Sequence, residues 1–171
     1  MLNQILKRRS IRSFLDKEVE QAKIDEIVQA GLYAATAHGE QTGVIVVIKN
    51  KEIREQIRLL NAKVGGFDLT SDPFYGAPII LLVMVKKGPN ARYDGSTMIE
   101  NMMIEAVNQK LGTCWIHRAK EEIESGELQK IIKIDGLNID DFEGVGHIAL
   151  GYAKLEPKEK KIKPNRVFYI E

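Results

Sequence analysis

One unbroken apolar run, Ile79 to Val85, constrains the fold more than any other feature of the sequence. It is the longest such run in the chain and falls far short of the roughly 20 residues that span a bilayer. Ala77-Pro78 lead into it and Gly88-Pro89-Asn90 end it, so it reads as a strand. Further strands are expected over Val44 to Ile48, Thr113 to Ile116 and Val145 to Tyr152. Helical periodicity fills the intervals. Ile24, Ile27, Val28 and Leu32 recur at i, i+3, i+4 and i+8 within Gln21 to Ala35. Ile53, Ile57 and Leu60 share a face over Lys51 to Leu60, and Asn61 to Tyr75 reads as a loop. Ile99, Met102, Met103 and Ala106 mark a helix that Asp94 is expected to cap and Leu111-Gly112 to stop. Glu121 to Lys133 is expected to be helical with a break at Gly126, and Leu2, Ile5 and Leu6 to share a face of a short first helix. There is no internal repeat, low-complexity segment or linker, so the 171 residues are expected to form one domain.

Composition removes several classes of function. At 44% hydrophobic and 29% charged, the chain reads as globular rather than disordered. Lys+Arg 25 against Asp+Glu 24 leaves a net charge of +1, which argues against a nucleic-acid or membrane-surface protein. The single cysteine, Cys114, excludes an intramolecular disulfide and a multi-cysteine metal site, and reads as a buried small side chain. MLNQILKRRS lacks the apolar segment of a signal peptide, so a cytoplasmic location is expected. His38, His117 and His147 have no metal-ligand spacing. No G-x-S-x-G elbow or P-loop is present. GVGHIA, residues 144 to 149, matches G-x-G-x-x-A but stands before a strand rather than a helix, so it reads as tight turns and not a dinucleotide site. An enzyme with no visible hydrolytic or NTP-cleaving machinery would rely on a bound cofactor.

Positive charge is nevertheless concentrated locally. RRSIRSF, residues 8 to 14, places Arg8, Arg9, Ser10 and Arg12 together. Guanidinium forks and a hydroxyl suit a phosphate, because arginine pairs bidentately with its oxygens. A solvated basic turn is the alternative for this segment taken alone. KEKKIKP, residues 158 to 164, adds Lys160, Lys161 and Lys163 near the other end. The last residues, VFYIE, are strand-like and apolar, as in a segment that pairs with its own sheet or with a partner subunit.

Several segments in order, RRSIRSF, AATAHGEQ, YGAPIILLV, Asp94 to Asn101 as D-x6-N, LGTCWI, GHIALGY and the lysine-rich tail, resemble the nitroreductase family of FMN-dependent oxidoreductases. The resemblance implies an α+β fold, with a central mostly antiparallel sheet flanked by helices, in an intertwined homodimer with FMN at the subunit interface. The tail, about 154 to 171, would cross to the partner. Arg8, Arg9, Ser10 and Arg12 would grip the FMN phosphate, joined by Lys161 and Lys163, with Lys160 as an alternative. The loop at 35 to 43, through Thr36, His38 and Gln41, would reach the flavin of the other subunit. It departs from the family pattern at Ala35, Gly39, Thr42 and Gly43. Asn61, Trp115, His117 and Arg118 would lie near the ring or ribityl chain, with Arg118 a source of charge near N1 and O2. NADH or NADPH would be the reductant and a small-molecule acceptor, such as a nitroaromatic or quinone, the oxidant. Beside this stand an FMN enzyme of the same family with another reaction, a flavin-binding sensor with little turnover, and a domain binding a different phosphorylated ligand.

Overall fold

A computed structural model describes residues 3–171. Leu2, expected on the first helix, lies outside them. Four strands, β1 (Gly43–Ile48), β2 (Ile79–Lys86), β3 (Gly112–Ile116) and β4 (Phe142–Gly151), form one antiparallel sheet in the order β1-β2-β4-β3. The helices are α1 (Asn3–Lys7), α2 (Gln21–Leu32), α3 (Lys51–Val64), α4 (Ala91–Asn108), α5 (Ala119–Glu124) and α6 (Leu128–Ile131).

The run at 79–85 is apolar throughout because β2 is central and covered on both faces. Ile80, Leu82 and Met84 enter a core with Ile57 and Leu60 of α3 and Ile123 of α5. Ile79, Leu81, Val83 and Val85 enter a second core with Ile24 and Ile27 of α2 and Ile99 and Met102 of α4. Successive strand residues point to opposite faces, so a strand between two layers must be apolar at every position. Each buried side chain of this size contributes about 1.5–3 kcal/mol.

The α+β layout with a mostly antiparallel sheet is the expected one, and several boundaries differ from expectation. α2 ends at Leu32 rather than Ala35. α3 continues through Asn61 to Val64, where Gly65 and Gly66 follow, so Asn61 is helical and buried rather than part of a loop. α4 begins at Ala91 and ends at Asn108, placing Asp94 inside its first turn rather than at the cap. Residues 119–131 form two short helices, α5 and α6, broken at Gly126 with φ +69°. The glycines of GVGHIA lie within β4 rather than in turns before it. A Cβ at Gly144 would meet the Ala119 carbonyl oxygen at 2.3 Å, and one at Gly146 would meet Trp115 Nε1 at 2.2 Å. Both glycines are packing requirements of the sheet. Residues 166–171, VFYIE included, form no strand within this chain. Val167, Phe168, Tyr169 and Ile170 are 69%, 82%, 88% and 98% exposed.

Candidate functional site

The chain leaves α1 as an extended strap. The Ile11 N–H donates to the Thr113 carbonyl at 2.8 Å, the Leu15 N–H to Tyr152 at 2.9 Å, and the Lys154 N–H to Ser13 at 3.0 Å. Ile11 and Phe14 turn inward, and Ser10 and Arg12 outward. Gly112 makes room for the strap, since a Cβ there would stand 2.7 Å from Ile11 Cγ1.

Arg8, Ser10 and Arg12, three of the four residues expected to form an anion site, lie on the strap where it runs along β3. Burial pushes the Cys114 thiol above its usual pKa, against which the Arg12 charge, a hydrogen bond with the Ser10 side chain and the Arg8 charge act. The strap seats Ser10 beside Thr113, near the start of β3, with Arg8 and Arg12 two residues to either side of it, while Cys114, 3% exposed, faces the core in the middle of the strand. Arg8 Nε pairs with Glu100 Oε1 at 3.1 Å. Arg12 is exposed, and among the described residues its guanidinium has no ion-pair partner. Arg9 turns elsewhere. Its Nη1 donates to the Leu6 and Arg8 carbonyls at 2.8 and 2.7 Å, and its Nε to the Lys158 carbonyl at 3.1 Å. It closes the end of α1 and ties the tail to it, as basic side chains do at helix C-termini. Lys161 and Lys163 are exposed farther along the tail.

At the other end of β3 the chain turns sharply through His117 and Arg118, the latter with φ +83°. His117 is exposed and stacks on Trp115 at 6.0 Å between ring centroids. The Arg118 guanidinium lies 4.7 Å from the centroid of the Phe67 ring, and its Nε donates to Asn61 Oδ1 at 3.1 Å. Asn61 Nδ2 donates to the His117 carbonyl at 3.0 Å and to Glu122 Oε1. Glu122 Oε2 lies 2.7 Å from His147 Nε2. Asn61, Glu122 and His147 are fully buried. The structure thus brings Asn61, Trp115, His117 and Arg118 to one turn. It also adds Glu122, which no sequence motif singled out, and His147 of the GHIALGY segment, which was not expected at the site. A cleft of about 470 Å³ opens beside this turn, lined by Trp115, His117, Arg118, Ser96 and Gly144 among others. A hollow of about 550 Å³ at the far ends of β1 and β2 contains none of these residues.

The loop at 35 to 42 is pinned from α4. The Ala37 N–H donates to Asp94 Oδ1 at 3.0 Å, and Thr97 Oγ1 donates to the Ala35 carbonyl at 3.1 Å. Within the loop, the Gln41 N–H donates to Thr36 Oγ1 at 3.2 Å. His38 and Gln41 are exposed in left-handed conformations, φ +54° and +50°. This loop touches neither end of β3 through any hydrogen bond among the described residues.

The two clusters stand at opposite ends of a five-residue edge strand, separated by about 13 Å at ~3.3 Å per residue. Such a pair can hold an elongated ligand with an anionic end and a flat end.

Comparison with known proteins gives one consistent answer. The model of the Nitroreductase family matches residues 5–152. A curated protein of Archaeoglobus fulgidus, named as a candidate NADH dehydrogenase/NAD(P)H nitroreductase, is 27% identical over 97% of this chain and 95% of its own. A crystal structure of a nitroreductase with bound FMN from Bacteroides fragilis superposes with a TM-score of 0.86 at 25% identity, covering 98% of this chain and 97% of the other. An FMN-dependent nitroreductase from Clostridium difficile gives a TM-score of 0.80 at 26% identity, covering 100% and 99%.

Proposed function

The chain belongs to the nitroreductase family, and on that premise we propose that it is an FMN-dependent oxidoreductase. It takes hydride from NADH or NADPH and delivers it to a small oxidised acceptor such as a nitroaromatic or a quinone. The observation that carries this reading is the seating of the strap that bears Arg8, Ser10 and Arg12 on Thr113, near the start of β3, with the His117–Arg118 turn at the strand's other end.

The donor set fits the cofactor. Ser10 offers a hydroxyl and Arg12 an unpaired, exposed guanidinium beside a half-buried Arg8, which together suit a dianionic phosphate. Lys161 and Lys163 join them from the tail. At the other end Arg118 and the ring pair of Trp115 and His117 hold the flat ring system, and Arg118 places positive charge beside it. FMN held by these residues would supply the two-electron chemistry that links nicotinamide and acceptor. The chain itself orients that ring, excludes water from one side and leaves the cleft beside His117 open to the exchanging ligands.

The working form is a homodimer of one-domain subunits. The exposed Val167, Phe168, Tyr169 and Ile170 bury their apolar surface on the partner, which is what an unpartnered apolar tail requires. The loop carrying Thr36, His38 and Gln41 completes the partner's site.

The test is an anaerobic titration of FMN-loaded protein with NADH or NADPH, followed by a nitroaromatic or a quinone. Bleaching by the nicotinamide and recovery of colour with either acceptor supports the reading. A flavin that neither nicotinamide reduces overturns it.

A further inference from the structure

The buried polar chain beneath the His117–Arg118 turn has no place in the reading above. Asn61, Glu122 and His147 are each fully buried, and they come from α3, α5 and β4. Such groups are retained at a cost, since apolar side chains of similar volume often serve stability equally well. Their bonds converge on the Glu122 carboxylate from two sides. Among the described residues, Glu122 Oε2 receives His147 Nε2, Glu122 Oε1 receives Asn61 Nδ2, and Asn61 Oδ1 receives Arg118 Nε. His147 Nδ1 has no hydrogen-bond partner among the described residues. Phe74 stands edge-on to the same ring at 5.4 Å and closes that side.

The orientation of Asn61 follows from these partners. Its amide nitrogen faces two acceptors, the His117 carbonyl and Glu122, and its oxygen faces a donor, Arg118. A flipped amide would set donor against donor and oxygen against oxygen. The carboxylate therefore selects the orientation, and His147 holds the carboxylate. Two features of the surface turn follow. The His117 carbonyl is drawn inward, so across the trans peptide the Arg118 N–H points outward. Among the described residues that N–H donates to no acceptor. The Arg118 side chain is also held, in a backbone conformation with φ +83° that strains a non-glycine residue. Gly65 leaves the space for it, since a Cβ there would stand 2.9 Å from Arg118 Cδ.

We propose that His147, Glu122 and Asn61 form a buried positioning chain that fixes the His117–Arg118 peptide and the Arg118 guanidinium, and through them sets the affinity and reduction potential of the bound flavin. This rests on the FMN reading above. His147 and Glu122 act only through Asn61 and the turn, so they are positioning residues.

The experiment measures FMN affinity and the midpoint potential of bound FMN in the full-length protein. Glu122→Gln replaces one acceptor with a donor and should weaken FMN binding roughly threefold to tenfold, the effect of one disturbed hydrogen-bond partner, with a shifted potential. His147→Leu should do the same, and His147→Gln, which keeps a donor toward Glu122, should restore both values toward wild type. Ile24→Val, in the core on the opposite face of the sheet, should lower the melting temperature and leave both flavin values unchanged. Should Glu122→Gln not fold, the His147 pair decides alone. Variants with wild-type affinity and potential overturn the inference while leaving the FMN reading intact. Wild-type protein that holds no flavin overturns the FMN reading and the inference with it.

Discussion

The Asp94 carboxylate accepts the backbone N–H of Ala37 at 3.0 Å, fastening the loop after α2 to the first turn of α4. Asp94 is only 7% exposed, so removing it leaves a part-buried N–H without a partner. Asp94→Ala should cost about 1–3 kcal/mol of stability and open residues 36 to 42 to limited proteolysis. Asp94→Asn, which keeps an acceptor oxygen, should stay near wild type. Urea denaturation of the two variants, beside a proteolysis time course, checks both.

Arg12 carries the free guanidinium of the anion cluster. A charge-assisted hydrogen bond is worth about 1.5–3 kcal/mol, and about 1.4 kcal/mol is one decade in affinity. Arg12→Ala should therefore bind FMN roughly tenfold to a hundredfold more weakly. Arg9→Ala, whose partners are the Leu6, Arg8 and Lys158 carbonyls, should affect the order of the tail more than the affinity. Fluorescence titrations of FMN with each variant separate the two arginines.

Gly144 lies against the backbone of the segment that carries the turn. A Cβ there would approach the Ala119 carbonyl carbon at 2.4 Å and the Lys120 nitrogen at 2.7 Å, and backbone cannot rotate aside as a side chain can. Gly144→Ala should destabilise the protein by about 1–3 kcal/mol, as overpacking does. A thermal melt gives the cost, and wild-type stability would mean that α5 shifts freely.

Acid should weaken a contact between the two ends of the domain. The Tyr152 hydroxyl donates to Glu20 Oε2 at 2.6 Å and, with the Glu20 backbone and Lys23, lowers the Glu20 carboxyl from 4.5 to about 2. The folded state thus binds this proton less readily than the unfolded state. The stabilisation is fully present above pH 4.5 and is lost as pH falls toward 2. The pair is exposed, so the effect is small. Tyr152→Phe should reduce the loss of stability between pH 5 and pH 3, read by denaturant titration at both values.

The tail gives a prediction about assembly. Removing residues 166 to 171 deletes the four exposed apolar side chains from Val167 to Ile170. Size-exclusion chromatography with light scattering should show a dimer for the full chain and a shift toward monomer for the truncated one.

Much of this architecture was legible in the sequence, for identifiable reasons. The run at 79–85 announced a strand because only a strand between two covered faces is apolar at every position, and β2 is that strand. RRSIRSF announced a concentration of positive charge, and the strap that carries it lies along β3 with Ser10 beside Thr113. That Arg9 faces three carbonyls was invisible, because neighbours in an extended strap point different ways. Asn61 is a poor helix former four residues ahead of the Gly65-Gly66 pair, so the segment from it onward read as a loop. Tertiary contacts with Glu122 and His117 hold it in the helix instead. The buried chain of Asn61, Glu122 and His147 could not be read at all. Its members are 61 and 25 residues apart, and no short motif joins them.

The most direct test of the central claim is the absorption spectrum of the purified protein after incubation with FMN and desalting. A retained flavin spectrum that bleaches with NADH or NADPH is the expected result. A colourless protein after desalting would contradict the account and return the arginine cluster to the role of a basic turn or a site for another phosphate.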